Sequence, residues 1–592
     1  MTNERNIQLV HKHLGLEITT DSFILGTISL FDNDDVIVQI TQNYLKYIYG
    51  VYSKTEAEFN NTNEENYDSS FKYKILNTIE AKYFPTFKLY KMLFNKKANI
   101  PYSEFKTLKW FPDCDDEAER FVAMREPTME FYKKLIVQYA PSKLEQRLKE
   151  IVPVYFTPKY FAIHSFIVGK SGYGKSVLML EMMKNIIDTK SSSLILIEPA
   201  GDISLELAKL VNPDDLVFVD PFIKSGFTPT INIFDLGKNV NLETISIYTG
   251  IIVDVFSQIL GSTFTPAMNS VLVPLVAVVL QLEGGTFFDL LRLLDDTNNS
   301  EILKYAQNNA LNPVHREYLK TGFLEKRASA SKYSIYTKLQ VLLNDSVFSS
   351  FLTGKTTIDL EKLMNTKKKV IIFRFNNIKM ANLDAAGKFI TGLISAYTFK
   401  REYIDISQRQ QCHLFIDEAA MFINEKSTTI LLEQARKYKL SMHLATQNNQ
   451  QLGTEINASI LSNTNLKFVF GNSNKNHRII SPEMGIKVDI LDAISKPGEV
   501  YCKVGANKSF KMQVSDRLLD KNLQMSDEEF EIVKEQQLQK YYRKVDFSKV
   551  EYVNIPIDDA KQKEKHTSHY TKDTSQKIQT SLIDNDDELL AF

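Results

Sequence analysis

The residues best suited to chemistry form one octapeptide, Gly169-Lys170-Ser171-Gly172-Tyr173-Gly174-Lys175-Ser176. It fits G-x-x-x-x-G-K-[ST], the spacing that wraps a nucleoside triphosphate. Glycines let successive backbone N–H groups turn inward on the phosphates with no Cβ in the way. Lys175 is placed to reach the β- and γ-phosphates and the Ser176 hydroxyl to bind Mg²⁺, so ATP and Mg²⁺ are the implied ligand and ion. The cradle is read as Gly169 through Val177. A plain Gly-rich strand–helix turn would share the pattern, but the flanks favour the phosphate loop. Residues 163–168 (IHSFIV) read as a buried strand. Residues 177–187 (VLMLEMMKNII) read as a helix whose N-terminal dipole faces the phosphates.

Such a loop alone gives binding. Hydrolysis also needs a carboxylate at the end of an apolar strand to hold Mg²⁺, and a second group to polarise the attacking water. HLFIDEAA supplies Asp417 for the first role and Glu418 for the second; two acids capping a helix N-terminus is the bland alternative. The next strand ends LATQNNQ, where Gln447 is placed either to contact the γ-phosphate or the water, or simply to cap the strand. Between them, in EQARKYKL, stands Arg436. An arginine can cross to a neighbouring subunit's nucleotide and neutralise developing charge, or it can belong to a solvated face beside Lys437 and Lys439.

These groups must be positioned by a scaffold, and the pattern around them alternates strand and helix. From about residue 155 it predicts an α/β layer with a mainly parallel sheet. The expected organisation is an N-terminal mixed or helical domain over 1–150, a motor over 151–239 and 366–510, an all-α insertion over 240–365, and a C-terminal extension over 511–592, disordered from about 540. A chain of 592 residues accommodates that many domains. Its 43% hydrophobic and 24% charged residues are those of a soluble globular protein, and its net charge of -1 confines any nucleic-acid contact to a local patch. Cys114, Cys412 and Cys502 lie far apart without ligand spacing and read as reduced cysteines of a cytoplasmic protein. The most apolar run, residues 271–282, is too short to span a bilayer, so membrane attachment is expected only through partners. No signal peptide is visible at the N-terminus.

GKSGYGKS, IEPAGD, FIDEAA, the arginine of EQARKYKL and LATQ stand in the order seen in the FtsK/HerA superfamily of DNA-pumping ATPases. Over about residues 155–510 the chain most resembles the branch holding conjugative coupling proteins and VirB4-like ATPases of type IV secretion, which carry a similar all-α domain after the phosphate loop. The resemblance implies a RecA-like fold and a ring, expected to be a hexamer, with nucleotide between subunits and DNA in the channel. Lys175 and Ser176 would match the phosphate and Mg²⁺ residues, Asp417 and Glu418 the Walker B pair, Gln447 the sensor and Arg436 the trans-acting arginine. Two departures stand out. Glu198 and Ala200 replace residues of the family's Asp-Pro-(His or Lys)-Gly-Asp motif, which leaves that motif's polar contacts open, and no N-terminal membrane helices are visible.

The reading is thus an ATP-driven DNA pump that serves conjugation and partners with secretion or DNA-processing proteins. A VirB4-like ATPase energising assembly or protein transfer, a HerA-like processing or defence ATPase, and a nucleotide-gated docking scaffold remain the alternatives. Candidate grips on a phosphate backbone are residues 448–451 and 475–478, which ordinary surface loops would equally explain.

Overall fold

The computed structural model describes residues 2–30, 146, 149–199, 201–236, 240–260, 263–375, 383–423 and 425–546. The strands in chain order are β1 (Phe23–Ser29), β2 (Ile151–Phe156), β3 (Ser165–Val168), β4 (Ser193–Glu198), β5 (Leu216–Val219), β6 (Phe227–Pro229), β7 (Val370–Arg374), β8 (Cys412–Ile416), β9 (Leu440–Thr446), β10 (Leu466–Val469), β11 (Glu499–Val504), β12 (Phe510–Val514) and β13 (Tyr542–Lys544). Eleven of them form one sheet in the order β2-β1-β12-β11-β10-β3-β9-β8-β4-β7-β5.

The sheet has two wings. From β10 to β5 all pairings are parallel. Strands such as β3, β4, β5, β8 and β9 are buried at every residue, as expected where helices cover both faces, so they read as largely apolar runs in which even Ser165, His413, Ser441 and His443 are buried. From β10 through β11, β12 and β1 to β2 the pairings are antiparallel, and β2 and β11 bury only alternate residues. The mainly parallel core with β9 inserted between β3 and β8 is the RecA-like arrangement. The sheet runs across both boundaries expected from the sequence, at 150 and at 510, because β1 and β12 pair with each other. The expected polar loop at 60–70, Cys114 and most of the 1–150 region lie outside the described residues, as does the tail beyond 546.

Between β6 and β7 the described chain is helical, with Leu242–Leu260, Pro266–Val279, Phe287–Leu294 and Lys326–Leu343 among its helices. The helix Leu242–Leu260 packs along Leu383–Lys400 and against Pro266–Val279. It is long and apolar enough by composition to cross a membrane, and it is the one such helix among the described residues. An aromatic cluster ties this region to the sheet's helices: Phe287 meets Phe234 at 5.1 Å, Phe256 at 5.7 Å and Phe389 at 6.3 Å between ring centroids. Each such pair contributes on the order of 1 kcal/mol beyond its buried area.

After β12 the chain crosses to the far edge. The helix Asp527–Tyr541 starts with a Ser526/Glu529 capping box. Its buried Gln537 then pairs with edge strand β5 as a strand would, accepting from Phe218 N–H at 2.9 Å and donating to Leu216 C=O at 3.1 Å. Tyr542 Oη donates to Phe218 C=O at 2.8 Å, so an otherwise open sheet edge is covered by a helix and two side chains.

Candidate nucleotide site

Register places the functional ends of three adjacent strands together. Val168 pairs with Thr446, and Leu444 with Ile416, so the residues following β3, β9 and β8 emerge from the same carboxyl-terminal edge. In open α/β sheets that edge is where ligands bind. The residues that follow are Gly169, Gln447 and Asp417.

The loop from Gly169 to Ser176 is bent by close contacts as much as by flexibility. A Cβ on Gly169 would lie 2.5 Å from Phe470 Cβ, so no larger residue fits without moving the end of β10. Gly174 has φ 102°, a conformation L-residues rarely adopt, and stands as N-cap of the helix Lys175–Asp188. Lys170 N–H donates to Gly471 C=O at 3.0 Å, and Gly498 N–H donates to Tyr173 C=O at 2.9 Å, which braces the loop from two sides. Among the described residues no hydrogen bond engages the amides of Gly172, Tyr173, Gly174, Lys175, Ser176 or Val177. A row of free donors at the positive end of a 14-residue helix fits a polyphosphate. Ser171 and Ser176 are exposed at the loop surface.

Lys175 is buried, and the one hydrogen bond of its ammonium is to Lys170 C=O at 3.2 Å. Burial pushes its pKa down, against the pull of the Asp417 and Glu418 charges. Asp417 N–H continues the β8–β4 ladder to Ile197 C=O at 3.0 Å. Its carboxyl is pushed up to about 6, first by burial and then by the nearby Glu198 carboxylate, with Lys175 opposing. A divalent cation at this position would offset both causes and hold Asp417 ionised. The donor set, a carboxylate and the Ser176 hydroxyl, is all oxygen and suits Mg²⁺.

Glu418 is the N-cap of a short helix, Ala419–Phe422, with φ 49° and ψ 53°. A non-glycine residue held there costs roughly 1–2 kcal/mol. Its Oε1 accepts from the Thr446 hydroxyl at 3.3 Å, while Oε2 is buried without a partner. The geometry aims a carboxylate with spare acceptor capacity across from the loop, which is what a water-polarising group needs. Gln447 is exposed at the end of β9, and its carbonyl accepts from Asn472 Nδ2 at 3.0 Å.

Arg436 is not part of this cluster. It is exposed in a 3₁₀ turn, Ala435–Tyr438, that precedes β9. The seven residues of β9 separate it from the carboxyl-terminal edge. At about 3.3 Å per residue that is roughly 20 Å, too far for an arginine to reach the loop of its own chain.

Glu198 was the residue whose contacts the sequence left open. The structure shows it buried, accepting from Ile203 N–H at 2.9 Å, Ser204 N–H at 2.6 Å and Ser204 Oγ at 2.5 Å. It therefore caps the helix Asp202–Leu210, and burial raises its pKa despite those donors. Its β7 pairing partner is Arg374, whose guanidinium meets Asp220 at 2.6 Å. Sequence reasoning passed over Arg374, Thr446 and Asn472. Only Arg374 left a signal, a charge closing the apolar run KKVIIFRF.

Comparison with known proteins agrees with the motifs. Residues 143–394 match the family model for the central domain of the helicase HerA, and residues 411–522 match that for the TraM recognition site of TraD and TraG. No curated protein sequence matches the chain. Similar solved structures include the bacterial conjugative coupling protein TrwB without its first 70 residues, at 13% identity, 62% of this chain, 87% of that chain and TM-score 0.47. TrwB with ADP and Mg²⁺ gives 14%, 62%, 87% and 0.47. VirB4 of Thermoanaerobacter pseudethanolicus gives 16%, 60%, 89% and 0.43. The two family matches span the phosphate loop, the Asp417-Glu418 pair and the Gln447 strand, and they agree with the resemblance to the FtsK/HerA superfamily and to TraD- and TraG-like proteins within it.

Proposed function

We propose that this protein is an ATP-driven motor that moves DNA for a conjugative or type IV secretion system and works as a ring of identical subunits. The observation that supports it most is the separation of Arg436 from its own site. Lys175, Asp417, Glu418 and Gln447 converge on one edge of the sheet, while the arginine stands exposed at the other. Such a layout suits a site completed by the Arg436 of an adjacent copy, and a closed ring is the simplest assembly in which every site is completed.

In this reading Gly169 to Val177 wrap the phosphates: Gly172, Tyr173, Gly174, Lys175, Ser176 and Val177 present the free amides, and Gly169, Lys170 and Ser171 shape the loop. Lys175 neutralises the β- and γ-phosphate charge, and Ser176 and Asp417 hold Mg²⁺, which draws charge from the phosphate oxygens. Glu418 orients the water and accepts its proton; Gln447 contacts the γ-phosphate or that water. Catalysis comes from positioning and charge stabilisation, the terms that dominate phosphoryl transfer. The protein acts in the cytoplasm and reaches the membrane through secretion or DNA-processing partners.

The test is ATP turnover by the full chain with and without double- and single-stranded DNA, beside Lys175→Ala and Glu418→Gln. Turnover that DNA raises and both variants lose is the expected result. Turnover no faster than that of Lys175→Ala under every condition ends the motor reading. Mixing Arg436→Ala with Lys175→Ala subunits should restore part of the activity, since some interfaces then carry both intact halves. No restoration at any ratio would remove the trans role of Arg436.

A further inference from the structure

The helix Asn474–Met484 is fastened to the phosphate loop and to the sensor strand at once. On the loop side, Phe470 presses on Gly169, and Gly471 C=O accepts from Lys170 N–H at 3.0 Å. The Phe470 carbonyl in turn lies 3.2 Å from Nε2 of buried His477, in the first turn of the helix, and His477 Nδ1 meets Asp492 at 2.5 Å. On the sensor side, Asn472 Nδ2 donates to the Gln447 carbonyl at 3.0 Å, and Asn476 Nδ2 approaches it at 3.5 Å while donating to Asn472 Oδ1 at 2.9 Å.

The joint between these ties is unsatisfied. Asn449 is fully buried with neither side-chain polar atom partnered, and Asn457 Oδ1, Asn476 Oδ1 and Glu418 Oε2 are in the same state. Five of the nine such atoms among the described residues thus gather in this corner. Buried polar atoms without partners are costly and rare, so each of these calls for a partner, which bound water, a bound ligand or a second arrangement of the site supplies. The turn Asn449–Leu452 that holds Asn449 touches both the helix following Glu418 and the helix Asn474–Met484. On the solvent face of the latter helix, Lys475 and Arg478 are exposed, three residues apart; among the described residues neither is within ion-pair distance of an acid, and Arg478 is near enough to the Asp492 carboxylate to help lower its pKa.

We propose that the Asn472–Asn476 clasp on the Gln447 carbonyl passes the state of the nucleotide site to the helix Asn474–Met484, whose Lys475 and Arg478 grip a nucleic-acid phosphate backbone. The proposal rests on the ATPase reading and makes Asn476 a positioning residue. Arrival or loss of the γ-phosphate shifts the end of β9; the clasp carries that shift to the helix, while the Phe470 tie serves as its fulcrum. The contact is to phosphates, so it is independent of base sequence and weakened by salt.

Two measurements on the full chain separate the parts. In hydrogen exchange, a non-hydrolysable ATP analogue should protect residues 169–177 and change exchange across 474–484 in the wild type. In Asn476→Leu and Asn472→Ala the loop should still be protected while the change at 474–484 disappears. An unaltered change in both variants, or none in the wild type, overturns the clasp; absence of protection at 169–177 sinks the ATPase reading and this proposal with it. In turnover assays with an oligonucleotide, Lys475→Ala/Arg478→Ala should lower the ratio of stimulated to basal turnover at least about fivefold. It should also cut the salt slope of binding by roughly two, close to one per lost phosphate contact. An unchanged ratio and slope, or stimulation by a transferred protein instead of an oligonucleotide, overturns the grip.

Discussion

The two ends of the parallel sheet solve opposite problems with the same strands. At the carboxyl-terminal end, among the described residues, Lys175 is buried with a single hydrogen bond to its ammonium, Glu418 is held at positive φ, and five buried polar atoms lack partners. At the amino-terminal end, three histidines are buried in a stack with aromatic and hydroxyl partners. Ser165 Oγ meets His443 Nδ1 at 2.8 Å, His443 Nε2 meets His413 Nδ1 at 3.1 Å, and the Phe415 ring lies 4.2 Å from His443. His164 Nδ1 accepts from Met442 N–H at 2.9 Å. One end stores strain and most of the unmet hydrogen bonds, where a ligand can use them; the other is packed around neutral histidines, with His164 Nε2 left without a partner. Function and stability are therefore separable by end, and substitutions can break or sharpen that separation.

The largest expected effect is on the packed end. Burial lowers the pKa of His164 to about 4 and of His413 to about 3, and burial together with the neighbouring His413 and His164 lowers that of His443 well below its ordinary value. Their folded form is neutral, so the stability they allow is intact above the unfolded pKa near 6.5 and is lost as pH falls below it. His164 and His413 alone remove about 3 kcal/mol per pH unit, or about 4 kcal/mol by pH 5, a large part of the net stability of a domain, and His443 acts in the same direction. Acid unfolding followed by circular dichroism should have its midpoint near pH 5, and His413→Leu should move it lower. A fold stable to pH 4 would show that the histidines can charge in place.

Next in size is the chemical end. Glu418→Gln should lower turnover about 10²–10⁴-fold, the usual worth of a general base, while leaving the melting temperature within a few degrees of the wild type. A Glu418→Gln variant that unfolds early would put this residue among the structural ones and erase the contrast between the ends.

How much of this contrast could be read from the sequence follows from how far each signal travels along the chain. The strand ends carrying Gly169 and Asp417 were legible because a largely apolar run stopping at glycine or acid is a local pattern, and the helices between β6 and β7 were legible from their helical patterning. The joining of β1 to β12 pairs Gly26 with Val514, and no local pattern reports a partner that far away. Glu198 looked like a defect in a motif because its role is to cap the helix beginning at Asp202, which only the turn geometry reveals. Asn472 gave no signal, and Asn476 stood in the 475–478 segment only as part of a candidate grip, since single asparagines are common in turns and only their convergence on the Gln447 carbonyl gives them meaning.

A smaller effect probes the border between the ends. Gly169 ends β3 and touches Phe470 at the neighbouring strand's end. Gly169→Ala must push the two apart, and overpacking of this kind costs about 1–3 kcal/mol. Both stability, by thermal melting, and ATP-analogue affinity, by calorimetry, should fall together. Loss of affinity at unchanged melting temperature would place the contact wholly on the functional side.

The smallest effect is the most diagnostic, because its sign is opposite. Glu418 holds a left-handed conformation at roughly 1–2 kcal/mol and buries a carboxylate oxygen with no partner. Glu418→Gly removes both costs and adds about 0.5–1 kcal/mol of backbone entropy to the unfolded chain, so it should stabilise the fold by about 1 kcal/mol. The same change removes the water-polarising group and should abolish turnover. Glu418→Asn, which tolerates the conformation and keeps a polar atom, should lie between the two in melting temperature. Stabilisation with loss of activity would show that this end of the sheet is held in a strained state for its chemistry. A destabilised Glu418→Gly would mean instead that Glu418 supports the fold through its contact with Thr446, and that the strain at this residue is offset within the folded protein.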